Sequence, residues 1–229
     1  MRRMGVMALA LAATIAVGCN RSENKAANDS TAATGTAGRA DSGVSRGDRD
    51  FVSDVAKMNM AEMELSRTAL SHAADANTKK FAQMMVDDHT AAGDKLKAFA
   101  AQNNIEVPAQ VDESHRDDAQ KLSEKKGLEF DKDYADKMVD GHQDFVNKLE
   151  SRIDKDTLSK WKSEHDRPVG DTKAHTEAEV KAVAVTAEKS DDARTQALNQ
   201  WAADTYPVAF AHLQAAKDLR DGLRKRSTN

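Results

Sequence analysis

The chain has 229 residues and a formal net charge of -4, with 34 Lys and Arg against 38 Asp and Glu, one Cys, and 4% aromatic residues. A single cysteine excludes an internal disulfide and any multi-cysteine zinc or iron–sulfur centre. The acidic balance argues against a protein built to grip phosphate backbones, so no nucleic-acid partner is expected. Charged residues at 31%, few Gly and Pro, and apolar positions filled mainly by Ala, Leu, Val and Met favour one all-α domain over a sheet protein.

At the start, Arg2 and Arg3 precede an apolar run from Met4 to Val17, followed by Gly18 and Cys19. That is the order of a secretion signal. The run has 14 residues, short of the roughly 20 that span a bilayer. Ala16-Val17-Gly18-Cys19 resembles a bacterial lipobox, which implies removal of residues 1–18 as a signal peptide and lipidation of Cys19. Loss of the thiol in this way suits an exported chain, which rarely keeps a lone reactive cysteine. Asn20 follows, where enteric lipoproteins retained at the inner membrane usually carry Asp. The expected location is the cell envelope, with the lipid anchor in the outer membrane and the domain facing the periplasm. Through Asp50 the chain is Asn, Ser, Thr, Ala, Gly and charges, with Val44 its only large apolar residue. Residues 19–50 therefore read as a lipidated cysteine and a disordered tether, and 51–225 as the helical domain.

From Phe51 the apolar residues recur with helical period. Phe51, Val55, Met58, Glu62, Leu65 and Ala69 form one stripe and predict a helix over about 51–74. Ala82, Met85, His89, Ala92, Leu96 and Phe99 predict a second over 77–103. Between Pro108 and Gly127, residues 112–126 read as a short connecting helix. Ala135, Met138, His142, Phe145 and Leu149 predict a helix over 129–151. Trp201, Thr205, Val208, His212, Ala215 and Leu219 predict the last, over 192–224. Ahead of it, the segment at about 152–187 reads as an extra helical hairpin, 152–166 and 173–189, around Arg167-Pro168-Val169-Gly170-Asp171. Trp161 and the apolar residues from Val180 to Val185 in this segment need burial. Four long amphipathic helices make a four-helix bundle the expected architecture.

An internal repeat runs through two of these helices. Phe81-Ala82-Gln83-Met84-Met85-Val86-Asp87-Asp88-His89 is echoed by Tyr134-Ala135-Asp136-Lys137-Met138-Val139-Asp140-Gly141-His142, and Lys95-Leu96 by Lys148-Leu149. Shared MVDxH at the same place on two apolar faces implies pseudo-symmetric halves, as in ferritin-like bundles.

On these residues the chain resembles the exported bacterial ferritin-like proteins classed as a domain of unknown function and often labelled outer membrane proteins. The resemblance covers about 51–150 and 190–220. It rests on Phe51-Val52, Ala61-Glu62-Met63-Glu64-Leu65, the two repeat segments, Phe130-Asp131, and Pro207 with His212-Leu213. It implies an envelope location and a ferritin-like bundle, and carries no settled activity. Tyr206 departs from the Leu usual before Pro, and the segment near 152–187 is additional.

Each stripe carries one polar residue near its middle: Glu62, His89, His142 and His212. Glu62 and His89 each lie 13 residues from a turn near Asp75-Ala76, so at 1.5 Å per residue both stand roughly 20 Å from that turn and level with one another. Three imidazoles and one carboxylate on a bundle axis suit a single transition-metal ion such as Zn, Fe or Cu. Asp87, Asp88 and Asp140 are nearby carboxylates that could orient the imidazoles. The same set also suits a buried polar layer without metal, Glu62 pairing with a protonated His, and that is the commoner use of a His on an apolar stripe. A ferritin-type two-iron centre is disfavoured, because Val86 and Val139 stand where Glu-x-x-His needs Glu.

The remaining features are weaker. Asp112 and His115 read as a helix start, and His175 with Glu179 as a solvated face. Met58, Met60, Met63, Met84, Met85 and Met138 read as gap fillers rather than copper ligands. Arg220, Arg224, Lys225 and Arg226 suit a helix C-terminus or contact with a membrane surface. No Ser-His-Asp order, Gly-rich phosphate loop or cysteine nucleophile setting points to an enzyme. The leading expectation is a non-catalytic envelope lipoprotein whose bundle binds a protein partner or supports the cell surface. The alternative is a mononuclear metal-binding or redox protein.

Overall fold

The computed structural model describes residues 43–165 and 184–226. The signal segment, Cys19, most of the tether, the 167–171 turn, and His175 with Glu179 lie outside the described residues. The fold is an all-α bundle of α1 (Arg46–His72), α2 (Ala76–Gln102), α3 (Glu113–Ser123), α4 (Gly127–Glu150), α5 (Lys155–His165) and α6 (Ala193–Arg226). Among the described residues no helix is long and apolar enough to cross a membrane.

The helix ends follow local chemistry. Ser45 caps α1, its Oγ accepting the Asp48 N–H at 3.0 Å, so the helix begins ahead of the Phe51 boundary read from apolar residues. Asp75 caps α2 by accepting the N–H groups of Asn77 and Thr78. Asp131 of α4 accepts those of Ala74 and Asp75, at 3.2 and 3.0 Å, and so holds the α1–α2 turn. Asp112 caps α3 by accepting the His115 N–H, which is the helix-start role expected for that pair. Gly127 opens α4 at a φ of 61°, a left-handed value that glycine adopts without steric cost.

Contacts between helix ends fix the course of the chain. Asp131 at the start of α4 meets the end of α1, while Asp48 at the start of α1 meets Arg152 just beyond α4. These two helices are therefore antiparallel. Thr195 at the start of α6 donates to Asp48, and Arg226 at its end pairs with Asp75 at the start of α2. The four long helices thus run up, down, down and up, with α1 packed on α2 and α4, and α6 on α4 and α2. Residues 103–126 form the crossover between the two parallel helices α2 and α4, and α3 within it packs on α1 and α4. Because α2 and α4 are parallel, their repeats present the same residues at the same height.

The extra segment differs from its expected form. Its first helix is α5, whose Trp161 is 2% exposed and meets the ring edges of Tyr206 and Phe210 at 5.2 and 5.0 Å. Tyr206, unusual before Pro207 by the resemblance above, is thereby matched to the segment that is also unusual. The expected second helix, 173–189, falls mostly outside the described residues, and its described end is not helical. Residues 184–189 run extended instead: Ala187 bridges Ile153, Asp154 N–H donates to Thr186 O at 2.8 Å, and Glu188 N–H to Arg152 O at 2.9 Å. This stretch satisfies backbone groups just past the end of α4, and buries Val185 and Ala187 at 4% exposure each.

A buried ion pair closes this end of the bundle. Asp48 is 2% exposed; it accepts from Arg152 and Thr195, and the Arg152 guanidinium lies 4.6 Å from the Phe51 ring centroid. Asp48→Ala is expected to cost about 3 kcal/mol, because the largely buried Arg152 loses its counter-charge. The urea unfolding midpoint measures this; a loss below about 1 kcal/mol would mean that water replaces the carboxylate freely.

Candidate functional site

The four polar residues of the stripes meet inside the bundle. Glu62 on α1, His89 on α2, His142 on α4 and His212 on α6 are 3%, 3%, 0% and 6% exposed. The imidazole rings form a near-equilateral triangle, with centroids 5.4, 5.7 and 5.5 Å apart. One nitrogen from each lies within 4.8 Å of the others. Glu62 Oε2 stands 3.0 Å from His89 Nε2, and Oε1 stands 3.3 Å from His142 Nδ1. Neither oxygen is aligned with a hydrogen-bond donor among the described residues, although both are fully buried. Such an orphaned carboxylate is costly in a protein interior.

The hydrogen-bond network assigns the imidazole tautomers. His142 Nδ1 lies 2.9 Å from the Met138 carbonyl oxygen, which can only accept, so Nδ1 carries the proton and Nε2 is bare. His89 Nδ1 donates to Asn59 Oδ1 at 3.0 Å, and Asn59 is oriented by its Nδ2 against Met63 Sδ at 3.5 Å. His89 Nε2 is bare as well. The two bare nitrogens face each other at 3.4 Å with no proton between them. Two nitrogens bound to one tetrahedral ion at 2.0–2.1 Å stand about 3.3–3.4 Å apart. His212 donates from Nε2 to Asp88 Oδ2 at 2.9 Å, which leaves its Nδ1 lone pair.

Burial sets the charge states. Desolvation pushes Glu62 up to about 8 and His89 down to about 3, with His212 adding to the fall and Asp88 opposing it. Burial, and then His89 and His212, hold His142 well below the ordinary imidazole value. Without an ion, burial favours a neutral acid at Glu62 beside neutral imidazoles at His89 and His142. An ion with two positive charges would reverse the balance for Glu62, because the ionised carboxylate would then have a partner.

The structure brings Glu62, His89, His142 and His212 together, and one of the three neighbouring carboxylates reaches them. Asp88 holds His212, whereas Asp87 and Asp140 are exposed. Each stands two residues before its histidine, about 200° round the helix, and so faces outward. The sequence reading passes over Asn59, which is 7% exposed and sits one turn before Glu62. The apolar stripe of this helix runs through Met58 instead. Of the methionines, Met85 and Met138 are fully buried and Met84 is 37% exposed. Arg220, Arg224 and Arg226 pair with Asp221, Asp136 and Asp75.

The profile of a family described as Domain of unknown function (DUF4142) matches residues 33–165. That is more than half of the chain, and the chain belongs to this family. The match includes Glu62, His89 and His142 and stops before α6 and His212. Comparisons with curated proteins and with solved structures find no match.

Proposed function

We propose that this member of a family of unknown function is an envelope-anchored protein that holds one transition-metal ion between Glu62, His89, His142 and His212. The observation that carries the reading is the pair of bare Nε2 atoms of His89 and His142, 3.4 Å apart beside a fully buried carboxylate that no hydrogen-bond donor is aligned with among the described residues. A cation between the imidazoles would use both lone pairs, with the Glu62 carboxylate beside them as its counter-charge. Three nitrogens and one oxygen suit Zn, Fe or Cu, and the ion would tie all four long helices together. Asn59, Met138 and Asp88 would hold the imidazoles in their ligating tautomers.

A ferritin-like relationship is supported by the up-down-down-up course, the crossover between α2 and α4, and the repeat these helices share. The envelope location rests on Arg2, Arg3, the apolar run and Cys19. Lipidation of Cys19 would fix the domain to the outer membrane through its tether, facing the periplasm. A metal-free polar layer is the second reading. It is favoured by the 3.0 Å approach of Glu62 Oε2 to His89 Nε2, which a neutral Glu62 bridges with its own proton, but it leaves the His89–His142 contact without one.

Protein purified without chelator and equilibrated with Zn, Fe and Cu salts is expected to retain one ion per chain, and His142→Ala none. Retention of no ion by the wild type leaves the polar layer as the reading. Cys19→Ser is expected to move the protein out of the membrane fraction or block its processing. Absence of labelled fatty acid from the wild type would remove the anchor.

A further inference from the structure

Resting on that metal reading, we infer that Gly141 sets the class of cation the site takes, by leaving room for the Glu62 carboxylate and so favouring a divalent ion over a soft monovalent one such as Cu(I). Gly141 lies inside α4, where glycine weakens a helix relative to alanine, and its backbone is not in the left-handed region that would call for glycine. What it provides is space. A Cβ at this position would stand 2.9 Å from Glu62 Oε1 and 3.7 Å from both Cδ and Cγ of the same side chain. The helix backbone cannot yield by that amount, so the carboxylate would be displaced.

The internal repeat sharpens the point. The position before the histidine is Asp88 in α2 and Gly141 in α4. Asp88 reaches His212 itself, whereas Gly141 admits a carboxylate from α1. The two halves of the repeat serve one cluster by opposite means at the same position. Gly93 does for Asn59 what Gly141 does for Glu62: a Cβ there would stand 2.7 Å from Asn59 Nδ2, and Asn59 holds His89.

Charge then decides the selectivity. Glu62 is the buried carboxylate beside the three converging imidazoles, and Asp88, with its side chain 38% exposed, acts through His212. A divalent ion surrounded only by neutral imidazoles in a dry interior lacks the counter-charge it needs. A monovalent ion needs less, and neutral nitrogen donors suit a softer cation. Removing the carboxylate from its place therefore penalises Zn²⁺ far more than Cu⁺.

The test is competition titration of the full chain with Zn²⁺ and with Cu⁺, in the wild type and in Gly141→Ala. The variant is expected to fold, to bind Zn²⁺ about 10–100-fold more weakly, and to keep its Cu⁺ affinity within about threefold. Glu62→Gln, which keeps Gly141 and the side-chain shape, is expected to show the same selective loss should Gly141→Ala fold poorly. Unchanged Zn²⁺ affinity in folded Gly141→Ala, or a parallel fall for both ions, would overturn the role of Gly141 while leaving the metal site standing. A wild type that binds neither ion would overturn both.

Discussion

Saturating the metal-free protein with Zn²⁺ is expected to raise its melting temperature by about 8–16 °C. Free ion at about 1,000 times Kd stabilises the folded state by about 4 kcal/mol, and a domain of 150–250 residues shifts by about 2–4 °C per kcal/mol. The expected effect is large because the proposed site draws on α1, α2, α4 and α6, so unfolding any long helix would release the ion. His89→Ala, His142→Ala and His212→Ala are each expected to abolish most of the shift. Glu62→Ala should remove about a third to two-thirds of the Zn²⁺ shift, as an affinity about 10–100-fold weaker implies. Thermal scans with and without Zn²⁺ measure all of this. A shift of wild-type size in His142→Ala would place the responsible ion elsewhere on the protein.

The metal-free protein is expected to show a stability maximum near pH 6.5 arising from this cluster. Glu62 has an ordinary value of 4.5, raised in the fold to about 8. Its contribution is fully present below 4.5 and is lost as pH rises toward 8. His89 and His142 have ordinary values of 6.5, lowered in the fold. Their contribution is present above 6.5 and is lost as pH falls below it. Between pH 4.5 and 6.5 the unfolded chain holds two protons on these imidazoles, while the folded cluster holds one on Glu62. Stability therefore rises with pH by about 1.4 kcal/mol per unit. Between 6.5 and 8 the unfolded groups hold none and the folded cluster one, so stability falls with the same slope. Glu62→Gln should remove the falling limb and double the slope of the rising one, to about 2.7 kcal/mol per pH unit. Urea midpoints from pH 4.5 to 8.5 compare the two proteins; parallel profiles would mean that Glu62 is ionised in the metal-free fold.

Much of this arrangement is legible in the sequence because each long helix carries an apolar stripe interrupted once. Glu62, His89, His142 and His212 stand out against Leu, Met, Ala and Phe neighbours, and helical rise puts Glu62 and His89 at one height. What the stripes conceal is polar or featureless. Asn59 takes a buried position that periodicity assigns to Met58, since a pattern of apolar residues prefers the thioether to the amide. Gly141 and Gly93 act through the absence of a side chain, which only the approach of Glu62 and Asn59 reveals. Asp48 reads as part of a charged tether until Arg152, far along the chain, supplies its partner. The extended course of 184–189 likewise depends on pairing with 152–154, a contact that no local helical period contains.

Anomalous scattering measured across the zinc edge from crystals grown with Zn²⁺ tests most directly whether one ion sits among these four side chains. The expected result is a single interior peak bounded by Glu62 Oε2, His89 Nε2, His142 Nε2 and the His212 ring, at about 2.0–2.1 Å from each ligand atom. Anomalous peaks confined to surface carboxylates, with water or nothing between the imidazoles, would contradict it.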